Sequence, residues 1–116
     1  MRRVWFTKEM KGAIVKGRKT ATTRNHPLKL DEDYLAVSGS WFKAEPFAVI
    51  RITGRLPIIL QRAIDCFYYE EGFDSGAEML GFLIKKRFFK KTFRSVEDDA
   101  FFHRFEVKAF DPEAGK

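Results

Sequence analysis

Between Phe101 and Phe110 the chain alternates with a period of two: Phe105, Val107 and Ala109 are apolar, while Arg104, Glu106 and Lys108 between them are charged. That pattern dictates a strand with one face in a core and one in water, which is the behaviour of an antiparallel sheet. Other segments add strands to it. Val4-Trp5-Phe6, Tyr34-Leu35-Ala36-Val37, Trp41-Phe42 and Phe47 to Thr53 read as extended, with Ser38-Gly39-Ser40 as a tight turn and Pro46 and Gly54 as punctuation. Helical signals are fewer. Thr7 is placed to cap a helix that runs to about Lys16 and stops at Gly17; a second covers Leu60 to Tyr69. A third opens on the capping box Ser75-Gly76-Ala77-Glu78 and carries Leu80, Leu83, Ile84 and Phe88 on one face. Strands outnumber the crossover helices that a doubly wound fold needs, so the order predicts an α+β architecture: a small β-barrel flanked by two or three helices.

With 116 residues there is material for one domain, expected over residues 1–110, followed by a short tail at 111–116. At 45% hydrophobic and 33% charged residues the chain is able to fold around a core. The single cysteine, Cys66, excludes a disulfide framework and a multi-thiolate zinc site, and it fits a reducing compartment. No stretch reaches the ~18–20 apolar residues of a membrane span, and Lys8 interrupts the N-terminal residues before a signal-peptide core forms. These features predict a cytoplasmic protein with no membrane partner; oligomeric state is not legible.

The net charge of +6 is concentrated. Met10 to Leu30 holds six basic residues and no acid (Lys11, Lys16, Arg18, Lys19, Arg24, Lys29), and Met79 to Val96 holds six more (Lys85, Lys86, Arg87, Lys90, Lys91, Arg94), again with no acid. Between them, Ala63 to Glu78 carries five acids and no base. Two basic blocks are the electrostatic footprint of a nucleic-acid binder, although lysine-rich helix ends also complement the helix dipole.

Two segments depart from what a core requires. The strip Gly17-Arg18-Lys19-Thr20-Ala21-Thr22-Thr23-Arg24 gathers three cations and three hydroxyls after a helix stop, a composition suited to an anionic or polar ligand. Tyr69-Glu70-Glu71-Gly72-Phe73 puts two carboxylates at a helix end, where the dipole disfavours them; which of the two faces a cleft is open. His26 sits in a proline turn and His103 in the last strand, too far apart in sequence to suggest a metal site, and no cofactor motif is present.

The Gly17-Arg18-Lys19-x-x-Thr22-x-Arg24 run, the strands that follow it, Glu71-Gly72-Phe73 before a capped helix and the phenylalanine-rich last strand resemble the ASCH domain family, related in fold to PUA domains. The match spans about Trp5 to Val107. The resemblance implies a PUA-like barrel with a ligand cleft beside the basic motif, and a role with RNA or a nucleotide-containing ligand, in which Arg18, Lys19 and Arg24 and the block Lys85, Lys86, Lys90 and Lys91 contact phosphates. One branch of the family, which hydrolyses N4-acetylcytidine to cytidine and acetate, uses a threonine, a lysine and a glutamate. On this chain those roles fall on Thr22, Lys19 and Glu71, so the resemblance leaves two readings: a binding domain, or an amidohydrolase. The glycine-aspartate pair that often follows the family motif is replaced by Leu30-Asp31-Glu32-Asp33.

Overall fold

The computed structural model describes residues 1–40, 42–85 and 92–110. Five strands and three helices follow in the order β1 (Arg3–Trp5), α1 (Lys8–Val15), β2 (Ala21–Arg24), β3 (Asp33–Ser40), β4 (Lys43–Ile59), α2 (Leu60–Cys66), α3 (Gly76–Lys85) and β5 (Asp99–Phe110). The strands form one sheet in the order β1-β3-β4-β5-β2; β1 lies parallel to β3 and the other pairs are antiparallel. The sheet curls into a half-barrel because its long central strands are bulged. The register shifts at Phe47 of β4, opposite Ala36 and Val37 of β3, at Lys108 of β5, opposite Val49 and Ile50, and at Thr53 of β4, between Ile52 and Gly54. Each bulge bends the strand and raises its twist.

Those bulges explain where the strands exceed expectation. β4 runs straight through Pro46 and Gly54, because Pro46 sits beside the Phe47 bulge, opposite Val37, and Gly54 sits at a register shift, where a ladder tolerates both residues. Ser38, Gly39 and Ser40 are still paired strand, opposite Glu45, Ala44 and Lys43, so the turn comes later than the sequence suggests. The second helix ends at Cys66 rather than near Tyr69. Trp41, Lys86, Arg87, Phe88, Lys90, Lys91 and the 111–116 tail lie outside the described residues.

The cap signals act as read, whereas the inner face of α3 is set by Met79 and Leu83, with Ile84 57% exposed. Thr7 Oγ1 accepts the Met10 amide at 3.2 Å, and Gly17 takes a left-handed φ of 75° just past the end of α1. Ser75 Oγ accepts the Glu78 amide at 3.1 Å and starts α3. Two apolar clusters result. One packs α1 against the curled sheet through Phe6, Ile14, Tyr34, Phe47, Ile50 and Phe105; the other joins α2 and α3 through Leu60, Ile64, Phe73, Met79, Leu83 and Phe93. The strip from Arg18 to Arg24 crosses the seam between them.

Candidate functional site

Backbone pairing brings the basic strip and the acidic helix end together. Leaving α1, the amides of Arg18 and Lys19 both donate to Ala13 O, at 2.8 and 3.1 Å. Those of Thr20 and Ala21 then donate to Glu70 O, at 2.8 and 3.1 Å. Lys19 and Glu71 therefore face each other across a short gap, although 52 residues apart. Gly72 makes room: at φ 103° it places no side chain where a Cβ would lie 3.3 Å from Lys19 Cβ.

Lys19 is 1% exposed, and its Nζ donates to Glu71 O at 3.0 Å and to Glu71 Oε1 at 3.3 Å. The same carboxylate accepts the Thr23 amide at 3.2 Å on Oε1 and a short bond from the Thr23 hydroxyl on Oε2. Burial lowers the Lys19 pKa; the Glu71 carboxylate opposes that shift and Arg24 adds to it. Thr22 is buried too, but its Oγ1 accepts from Arg24 Nε at 3.2 Å. In a strand, neighbouring side chains diverge, and here one threonine engages the carboxylate and the other the guanidinium.

The cations of the strip are spent inside the fold. Arg18 donates to the carbonyls of Tyr69 and Phe73, the latter at 2.8 Å, pairs with Asp74 at 3.1 Å, and lies over the Tyr69 ring at 3.7 Å from its centroid. Its fork clamps the segment that carries Glu71. Arg24 donates to Trp5 O at 2.8 Å and sits 4.9 Å over Phe6; burial brings its pKa down to about 10, so it remains a cation at neutral pH. Glu70 turns outward and receives both arms of Arg104 at 2.8 and 3.2 Å, which leaves Glu71 as the carboxylate of the cleft. In the second basic block, Lys85 is exposed at the end of α3; Lys86, Lys90 and Lys91 lie outside the described residues.

A cavity of about 40 Å³ meets these groups, lined by Thr22, Thr23, Arg24 and Glu71 and walled by Trp5, Thr7, Met10 and Phe73. Glu71 and Phe73 also line an adjoining cleft of about 270 Å³ with Ala13, Gly72, Glu78 and Phe82. Thr23 stood in the basic strip, yet nothing in the sequence marked it over Thr22 as the hydroxyl on Glu71; that choice depends on which face of β2 meets the loop. His103 is completely buried and structural: its Nε2 accepts the Leu28 amide at 2.9 Å, so the ring proton is on Nδ1 and donates to Thr22 O at 3.3 Å. Among the described residues no cluster of His, Cys, Asp and Glu is arranged to hold a metal, and no helix is long and apolar enough to cross a membrane.

No protein-family model and no curated protein matches the chain. Solved structures do. A crystal structure of protein EF3133 from Enterococcus faecalis V583, a DUF984 protein, superposes with a TM-score of 0.71 at 20% identity, over 100% of this chain and 86% of that one. An ASCH protein from Zymomonas mobilis gives 0.65 at 14% identity, over 93% and 68%, and an ASCH domain from Lactobacillus crispatus gives 0.59 at 18%, over 91% and 78%. At these identities the likeness is one of fold: an α+β fold with a small curled sheet, shared with the ASCH structures.

Proposed function

We propose that this ASCH-fold chain is an amidohydrolase for an N-acylated nucleobase, of the N4-acetylcytidine kind, with Thr22 as nucleophile, Lys19 as its base and Glu71 as the acid for the leaving amine. The observation that carries this reading is the buried Lys19–Glu71 pair, whose carboxylate lines one cavity with Thr22, Thr23 and Arg24. A surface ion pair has no such use. At rest the two form an ion pair; with a ligand in the cavity, one proton passing from Nζ to Oε1 along their 3.3 Å contact removes both charges. The shift produces a free amine beside a protonated carboxyl, the pairing of base and acid that amide cleavage needs.

The steps balance. Neutral Lys19 takes the Thr22 hydroxyl proton as Thr22 Oγ1 bonds to the acyl carbon; the C–N bond breaks and the protonated Glu71 carboxyl delivers its proton to the departing amine. Water then cleaves the acyl ester, releases the acid and restores Thr22. Arg24, donating to Thr22 Oγ1, supports negative charge on that oxygen. Thr23 keeps the carboxyl aimed by two hydrogen bonds.

The test is hydrolysis of N4-acetylcytidine followed by chromatography. Cytidine should accumulate with the intact chain, and Thr22→Ala and Lys19→Met should each lower the rate at least about a hundredfold. An undiminished rate in Thr22→Ala, or no cytidine from the intact chain, sinks the proposal. The second reading, an RNA-binding domain without turnover, is favoured by the net charge of +6 and by exposed Lys85 at the head of the second basic block.

A further inference from the structure

A separate cleft of about 360 Å³ opens between the start of α1 and the β3–β4 connection, lined by Lys8, Lys11 and Lys43 with Ser38, Ser40 and Glu45. Three cations against one carboxylate leave this lining with an excess of two positive charges. None of the three ammonium groups is in an ion pair with a described residue, whereas Arg18, Lys19, Arg51 and Arg104 all are. Like charges gathered around one void repel, and an anion seated there converts the repulsion to attraction. The hydroxyls of Ser38 and Ser40 supply neutral donors beside the lysines.

Thr7 lines both this cleft and the Glu71 cavity, and Phe6, whose ring carries Arg24, is among the residues lining the cleft. Thr7 Oγ1 accepts the Met10 amide, which leaves its own proton free to donate toward a bound oxygen. A ligand with its base at Glu71 and a phosphate at these lysines would bridge the two. A free nucleoside has no charge for them to meet.

We infer that the Lys8, Lys11 and Lys43 cleft is a phosphate subsite, and that the ligand of the Glu71 pocket is a nucleotide, free or within an RNA strand. The second half of the inference rests on the nucleobase reading of that pocket; the first stands without it.

Calorimetric titration at low salt with cytidine, cytidine 5′-monophosphate and a short oligocytidylate tests it, with folding followed by circular dichroism. The monophosphate should bind at least about tenfold more tightly than cytidine, and the advantage should shrink with added salt. It should vanish in the triple variant Lys8→Ala/Lys11→Ala/Lys43→Ala and persist in Lys16→Ala/Lys29→Ala, which removes two exposed lysines that line neither cavity. Tighter binding of the oligocytidylate, lost in the triple variant, identifies RNA as the phosphate source; no gain over the monophosphate identifies the free nucleotide. Equal binding of cytidine and its monophosphate, no measurable binding of either, or an advantage that survives the triple variant overturns the subsite. Failure of the hydrolase reading looks different: phosphate preference remains, with no cytidine formed from the acetylated nucleoside.

Discussion

At the scale of single residues, Glu71 holds the site together. It accepts from Lys19 Nζ, from the Thr23 amide and from the Thr23 hydroxyl, and Lys19 has its ammonium buried against it. Removing one partner of such a pair strands the other charge in a medium that solvates it poorly. Glu71→Gln should therefore lower stability by about 3–5 kcal/mol, read from the denaturant midpoint, and adding Lys19→Met to it should recover part of that loss. A double variant no more stable than Glu71→Gln alone would mean that Lys19 is not charged in the fold. Lys19 and Glu71, two residues that the resemblance to a known family singled out, do meet in the fold. The role of Thr23 was not legible, since a run of two threonines in a strand carries no label for which one meets a carboxylate far along the chain.

At the scale of elements, the site depends on three short connections: the exit from α1, the edge strand β2 and the loop from Tyr69 to Asp74. Arg18 staples that loop to the α1 exit through two carbonyls and Asp74. Gly72 is the sensitive point among them, with a left-handed φ of 103° and a Cβ position 3.3 Å from Lys19 Cβ. Gly72→Ala should cost about 1–3 kcal/mol, seen as a lower melting temperature, and should also displace Glu71 and reduce turnover. A variant with unchanged melting temperature would refute the close packing at this position. The capped starts of α1 and α3 and the alternating β5 were readable because caps and periodicity are local properties. The length of β4 was not: its proline and glycine look like breaks until the bulges that absorb them are seen.

At the scale of the whole molecule, His103 ties the last strand to the β2 edge and to the residues after it, through Thr22 O and the Leu28 amide. Burial, ahead of the nearby Arg24 and Arg55 charges, takes its pKa from 6.5 down to about 4. In that window the unfolded chain binds a proton that the native chain does not, so stability falls as pH drops from about 6.5 toward 4. Denaturation midpoints measured across that range should decline, and His103→Gln should flatten the decline; an equally steep slope in the variant would assign it to other groups. Sequence alone determined the class of the fold, the capped helices and the half-buried last strand, because periodicity and caps act over a few residues. It also located two basic blocks and one acidic segment. Only the tertiary structure decided what those charges do: it sank Lys19 onto Glu71, spent Arg18 and Arg24 on carbonyls, turned Glu70 out to Arg104, and left Lys8, Lys11 and Lys43 around an open cleft. The physical reason is that a charge's function is set by its desolvation and its partners, and both are supplied by segments distant in the chain.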